Sequence, residues 1–406
     1  MEKIINQTHN KETYLFALSR LFERASYYGI RALLVLYLVD KSGMNMSRSD
    51  ANSIYGWVVG FLVLAKIIGG ILGDLVIGNK NSIIIGGLLQ AIGAFCLSIV
   101  PSSIGVYTGL TFIIIGGGLY SPNMIANFGK LYSNKTKLLD AGFTIFLSAV
   151  SIGALIGPLI LGRIGEFYRY EYGIAGAGLL MLFSIIFPFF YMEKESNISA
   201  NINTNIKINN RLKRIVTFLF FVAIYWTVYK ISKIGAMEIG MKLSAEKIID
   251  ISNNSWLMFE PIFLFAFGIF MAIIWTFYYS NRFIKLLIGF MFGTLSFSIL
   301  FLIPETITKV SLIYYLISLL FLGISETYIV PIILSVLTKY SNPKYLAIII
   351  SLAFIPTQLF SIIFHSFDDK FYHNPMFALK FGTIIFLILT IGLLGYMIKY
   401  RKYYLQ

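Results

Sequence analysis

Residues 15–39 read LFALSRLFERASYYGIRALLVLYLV, a stretch long and apolar enough to cross a lipid bilayer as a helix. It nevertheless holds Arg20, Glu23, Arg24 and Arg31 beside the pair Tyr27 and Tyr28. Each charge near a bilayer centre costs about 2.5 to 3.5 kcal/mol on insertion scales, so charges gathered in one span must face protein or water rather than lipid. Positions 20, 23/24, 27/28 and 31 follow the spacing that puts side chains on one helical face. This predicts a helix that lines a pathway, with Leu21, Phe22, Leu33, Leu34 and Leu36 turned to lipid or to neighbouring helices. The same residues also fit a plain salt-bridge ladder, Arg20 with Glu23 or Arg24 and Glu23 with an arginine elsewhere, that only ties helices together.

The rest of the chain extends the membrane reading. Of its 406 residues 57% are hydrophobic and 13% charged, far more apolar than a soluble domain. Apolar stretches of spanning length fall near 15–39, 53–76, 81–100, 104–128, 141–162, 173–192, 214–236, 255–279, 283–303, 310–332, 345–366 and 376–398. Twelve spans put both termini on one side, and that side takes the larger share of the 33 lysines and arginines. The run Arg211, Lys213, Arg214 and the tail Lys399, Arg401, Lys402 carry much of the bias. Both termini are therefore expected in the cytoplasm, with the chain multi-pass in the cytoplasmic (inner) membrane.

The formal net charge of +14 reads accordingly as topology and contact with anionic lipid, not as nucleic-acid binding. Cys96 is the only cysteine, which excludes an intrachain disulfide and any thiolate metal cluster. His9, His365 and His373 lack metal-ligand spacing, so neither a metal site nor another cofactor is expected. The polar start MEKIINQTHNKE precedes a span too long and too charged for a cleaved signal peptide, and is expected to be retained. No nucleophile and base pair, metal cluster or phosphate loop stands out, and GNKNS at 78–82 lacks Walker spacing, so an enzyme or ATPase is not expected.

Segment 193–212, EKESNISANINTNIKINNRL, is the one long interior stretch without apolar periodicity. It predicts an N-terminal six-helix bundle over 1–192, a cytoplasmic linker over 193–213 and a C-terminal six-helix bundle over 214–406. That layout resembles the major facilitator fold, an all-α membrane protein of twelve transmembrane helices in two bundles, with substrate bound near the midplane. The loop GGILGDLVIGNK at 69–80 is similar to that superfamily's loop motif. Its Asp74, at a helix end, has two readings: a latch that holds one conformation through backbone amides or a basic neighbour, or an ordinary helix cap.

At FERASYYGIRALLVLYL the chain resembles a narrower group, the proton-dependent oligopeptide transporters, whose first helix carries Glu-x-x-Glu-Arg-Phe-x-Tyr-Tyr-Gly; Glu23, Arg24, Tyr27, Tyr28 and Gly29 match. Similar runs follow in order at 116–123 (GGGLYSPN), 140–154 (DAGFTIFLSAVSIGA), 224–230 (IYWTVYK), 260–263 (EPIF) and 325–339 (SETYIVPIILSVLTK). The resemblance implies that Arg24 and Arg31 face a peptide's carboxylate end, that Glu326 takes its amino terminus, and that Tyr27 and Tyr28 add hydroxyls and aromatic walls. A zwitterion needs opposite charges at its two ends, so the division is physically sensible.

Departures from the family pattern fall on the residues that move protons in it. The first glutamate of the motif is Arg20, the phenylalanine Ala25, the fourth-span lysine Ser121 and the seventh-span acid Lys230. In the fifth span Leu147 and Ser151 replace tyrosine and asparagine, the eighth-span asparagine is Glu260, and a second-span proline is Lys66. Glu23, Glu260 and Glu326 remain as carboxyls able to carry a proton. Ser151 and Glu260 join the expected substrate residues, and Arg20, Glu23, Lys66, Lys230 and Asp74 the expected coupling and gating residues.

The extra positive charge suits an anionic ligand such as an acidic peptide or a carboxylate siderophore. Relocated salt bridges are the competing account: Lys230 to Glu23 or Glu260, and Arg20 to a helix C-terminus. The expected function is a monomeric secondary transporter of small peptides working by alternating access with protons as a candidate coupling ion. A carrier of another anionic solute and a non-transporting receptor on the same fold are the alternatives.

Overall fold

The structure, a computed structural model, describes residues 2–3, 7–40, 44–190, 208–246, 256–304, 306–353, 355 and 368–399. Its long helices are α1 (Lys11–Val39), α2 (Arg48–Leu72), α3 (Asn79–Ile99), α4 (Ser103–Lys130), α5 (Leu139–Phe167) and α6 (Tyr170–Phe190), followed by α7 (Ile208–Ala245), α8 (Trp256–Phe277), α9 (Arg282–Ile299) and α10 (Lys309–Tyr340). The short α11 (Leu346–Leu352) and α12 (Asp368–His373) precede α13 (Pro375–Lys399). A two-residue strand β1 (Glu2–Lys3) pairs antiparallel with β2 (Tyr278–Tyr279). In a bilayer each backbone polar group must be satisfied within the segment, and helices do so.

Among the described residues ten helices are long and apolar enough to cross a membrane. The helix α1 is as long, at 29 residues, but carries the cluster of charges that marked it in the sequence. Of the stretch read as the eleventh span, α11 is described; residues 356–366, with His365, lie outside the described residues, as do Arg401 and Lys402. Several helices overrun their apolar windows, α7 most of all, because backbone hydrogen bonding continues into polar sequence once a helix is nucleated. Residues 208–213 of the stretch read as a linker are the opening turns of α7, and 193–207 lie outside the described residues.

The helices begin where short polar side chains can take an orphan amide. Ser47 accepts the N–H of Asp50 at 3.1 Å, Ser102 that of Gly105 at 3.2 Å and Asn281 that of Phe283 at 2.9 Å. Gly78, with φ +80°, supplies the left-handed turn between α2 and α3.

The chain divides into two compact units. An N-terminal unit comprises Thr8–Arg211 together with Leu337–Ala353, and a C-terminal unit comprises Met1–Gln7, Leu212–Val336 and Phe354–Gln406. In the N-terminal unit α1 packs on α5 and α6, α3 on α4 and α6, and α11 on α2 and α4. Glycines let these backbones approach, the usual device where lipid supplies no hydrophobic drive between helices. Gly86 and Gly93 of α3 meet Gly116 and Gly109 of α4: a Cβ at Gly93 would stand 2.5 Å from the Gly109 carbonyl oxygen, and one at Gly116 as near the Gly86 oxygen. On α5, Gly153 and Gly157 sit against the α1 backbone at Leu21 and Ala25, which presses the charged turn of α1 into the unit.

In the C-terminal unit α9 packs along α13. Its core is aromatic: the ring of Tyr225 lies edge-on to Phe290 and Phe386 at 5.8 and 5.5 Å. Phe297 stacks on Phe386 at 5.8 Å.

Candidate functional site

Two clusters of buried polar residues stand out, one in each unit. In the N-terminal unit the charges of α1 condense on Glu23, which is 1% exposed. Arg20 Nη1 donates to Glu23 Oε2 at 3.0 Å, and Arg24 donates through Nε to the same oxygen at 2.6 Å and through Nη2 to Oε1. Arg20 also reaches the Ser121 hydroxyl on α4 at 3.3 Å and lies 5.5 Å from the Phe146 ring centroid. The Arg24 guanidinium covers the Tyr27 ring at 4.6 Å and lies 5.9 Å from that of Tyr28; the two rings meet edge to face. Lys66, half-buried on α2, is close enough to act electrostatically on Arg20, Glu23 and Arg24. The set counts three cations against one carboxylate.

Behind it a neutral network fixes α1 to α4 and α6. Ser19 donates to the Ser184 carbonyl at 2.5 Å, and the Tyr120 hydroxyl bridges Ser19 Oγ at 3.0 Å and Ser184 Oγ at 2.6 Å. Nothing in the single residues announced this triad, because its members come from three helices.

The remaining expected residues of this unit fall in two places. Arg31 is exposed and its Nε donates to the Tyr55 hydroxyl on α2, one helical step away from the Arg20, Glu23 and Arg24 knot. Ser151 is buried and donates to the Leu147 carbonyl of its own helix at 3.1 Å. Asp74 closes the end of α2 onto α11: Oδ2 accepts the N–H of Ile348 at 2.9 Å and Oδ1 the Asn79 amide at 3.0 Å. Asn79 donates to Asn123 at 2.7 Å and accepts from Lys130, while Asn123 donates to the Gly69 carbonyl at 2.8 Å.

In the C-terminal unit the cluster is acidic. Glu260 of α8 and Glu326 of α10 are each 8% exposed, and their carboxyls lie within hydrogen-bonding reach of one another. Lys233 Nζ donates to Glu260 Oε2 at 2.6 Å and to the Tyr229 hydroxyl at 2.7 Å; that hydroxyl in turn donates to Glu260. Tyr225 and Ser325 meet at 3.0 Å, and Ser325 donates to the Gly289 carbonyl at 2.7 Å, locking α10 against α9 beside Glu326.

One pairing was not named from the sequence, and one was. Lys233 meets Glu260, because α7 buries Tyr225 and Tyr229 and the next residue at that four-residue step is 233; Lys230 is at an exposed position of the same helix. Arg20 meets Glu23, one of the partners in the salt-bridge ladder read from the sequence, and also Ser121, because its own helix offers an acid one turn away.

The chain belongs to the Major Facilitator Superfamily, whose model matches residues 16–365. It is 34% identical over 181 residues to the uncharacterized transporter YclF of Bacillus subtilis, covering 44% of this chain and 37% of that one. It is 31% identical over 221 residues to a di-/tripeptide transporter of Lactococcus lactis subsp. cremoris, covering 51% of this chain and 44% of the other. The chain thus spans less than half the length of these curated relatives in the matched region. Among solved structures it is similar to a POT family transporter in complex with a thioalcohol-conjugated peptide, at TM-score 0.61 and 19% identity over 96% of this chain and 97% of that one. A peptide transporter POT in complex with sulfate matches at TM-score 0.58 and 20% identity, over 97% and 96% of the two chains. The fold is the all-α major facilitator fold.

Proposed function

We propose that the protein is a secondary transporter of di- and tripeptides, working by alternating access as a monomer in the cytoplasmic membrane with both termini in the cytoplasm. One observation carries the reading: the two polar clusters carry opposite surpluses, with Arg20, Arg24 and Lys66 outnumbering Glu23 in the cluster on α1 and α2, and Glu260 and Glu326 outnumbering Lys233 in the cluster on α7, α8 and α10. A peptide is a zwitterion, and charge-assisted bonds to its two ends give orientation and affinity without reading its side chains. In this assignment Arg24 takes the carboxylate, Glu326 the ammonium, and Tyr27 and Tyr28 wall the solute. Relatives named as di-/tripeptide transporters support it. Asp74 acts as the conformational latch through its hold on α11.

Uptake of labelled dialanine into liposomes holding the purified protein, with and without an inward proton gradient, tests the reading. Saturable uptake that collapses in Glu326→Gln supports it. The surplus of cations around Glu23 favours a second reading, transport of an anionic solute such as an acidic peptide or a carboxylate chelator. Flux that polyanions alone compete for, weakened by Arg20→Gln, selects it, and absence of any saturable flux points to a receptor role.

A further inference from the structure

The family's proton-moving residues are mostly replaced here, and the one motif acid left on α1, Glu23, has both oxygens in ion pairs. Glu23 accepts from the guanidiniums of both Arg20 and Arg24, and that pairing favours its ionised form while the knot holds. The C-terminal unit is arranged differently. Glu260 and Glu326 face each other within hydrogen-bonding reach, and an ionised carboxylate can only accept, so two carboxyls bond to each other only with a proton between them.

Charge counting gives the same number. Lys233 is the cation bonded to Glu260, and one proton on the two acids brings the cluster to neutrality. Without it a net negative charge would stay buried, at a cost that hydrogen bonds alone do not offset. Among the described residues the phenols near the pair are Tyr229, bonded to Glu260; Tyr225, bonded to Ser325; and Tyr315 on α10. Lys230, one residue beyond Tyr229, is on the exposed side of α7.

We propose that Glu260 and Glu326 share a single exchangeable proton in the solute-free protein, and that this pair is where the coupling ion is carried. The second clause rests on the transporter reading; the first does not. The proton enters from water onto one carboxyl oxygen, is held between the two side chains, and leaves to water without any bond to carbon being made or broken. Glu260, standing where the family has an asparagine, thereby supplies the second acid that a lone Glu326 would lack.

Infrared difference spectroscopy of the purified protein, with no solute added, reads the proton directly as the C=O stretch of a protonated carboxyl that shifts in D2O. One such group per molecule is expected across the neutral range in the wild type. Glu260→Gln and Glu326→Gln should each abolish it, because either leaves one carboxylate for one lysine. Lys233→Met should instead raise the signal toward two groups, since the pair then loses its cation. A wild type without the band, or a band that survives in both glutamine variants, overturns the proposal, and the wild-type measurement stands even where a variant fails to fold. Since no solute is involved, such a failure would leave peptide transport to be judged by the uptake assay alone.

Discussion

The carboxylate of Asp74, at the end of α2, accepts the backbone N–H of Ile348, 274 positions further on, at 2.9 Å. Ile348 lies in the first turn of α11, where N–H groups have no partner inside the helix and an anion also suits the helix dipole. Asp74 is therefore both a cap and the tie between α2 and α11. Asn79, Asn123 and Lys130 hold its carboxylate and the adjoining Gly78 turn in place.

From that tie follows a local prediction. Asp74→Ala should cost about 0.5 to 2 kcal/mol, the usual worth of a capping side chain, whereas Asp74→Asn keeps an acceptor oxygen and should lose less. Hydrogen exchange over 346–352 is the measurement. Exposure of those amides in the alanine variant, with the asparagine variant close to wild type, is the expected order; equal protection in all three would show that Asp74 is not what holds α11.

A second prediction concerns the knot on α1. Glu23 is 1% exposed and neutralises two guanidiniums, so Glu23→Gln leaves Arg20 and Arg24 buried against each other and near Lys66. Removing one partner of a buried ion pair costs about 3 to 5 kcal/mol, more than the pair itself contributes. The double variant Glu23→Gln/Arg24→Gln should recover part of that loss. Thermal unfolding of the single and double variants in detergent measures the coupling, and strict additivity would mean that the three charges do not act together.

How much of this was readable beforehand differs residue by residue. The α1 cluster was legible because helical spacing alone puts 20, 23, 24 and 27 on one face, and lipid leaves buried charges nowhere else to go. Lys233 was not singled out, because choosing it over Lys230 needs the rotation of α7 about its axis, which only the packing of Tyr225 and Tyr229 fixes. The Ser19, Tyr120, Ser184 triad and the Asp74 to Ile348 bond depend on contacts between distant segments, for which a single sequence carries no periodic signal. The family motif supplied Glu326 but said nothing of its carboxyl neighbour, since the position of Glu260 is not acidic in that pattern.

The α3 and α4 contact yields a third prediction. Gly93 and Gly109 each abut the other's backbone, so a larger side chain at either position forces the helices apart. Gly93→Leu should destabilise by about 1 to 3 kcal/mol or more, the range for overpacked cores. Gly162 on α5 has nothing within 4 Å of the place a Cβ would occupy, and Gly162→Ala should be neutral to slightly stabilising. Comparison of the two by unfolding temperature separates loss of packing from a general intolerance of glycine replacement.

The last prediction lies at the polar edge of the N-terminal unit. His9 Nδ1 meets the Tyr132 hydroxyl at 2.7 Å, Thr13 meets the same hydroxyl at 2.8 Å, and Lys135 donates to the Thr8 carbonyl and Asn10 at 2.8 and 2.7 Å, pinning the segment before α1 to the α4–α5 connection. Burial, with Lys135 adding like charge, lowers the His9 pKa below its ordinary 6.5, and burial raises that of Tyr132, which stays a neutral phenol. A base whose folded pKa is depressed binds its proton more weakly folded than unfolded, so its contribution is whole above about 6.5 and is lost as pH falls through that value toward the folded pKa. Hydrogen exchange of residues 8–13 should therefore quicken on acidification in the wild type. His9→Gln, which keeps a hydrogen-bonding group but cannot titrate, should flatten that dependence. A wild type with the same protection at neutral and mildly acidic pH would mean that His9 bears no part of the attachment, leaving Thr13 and Lys135 to hold it.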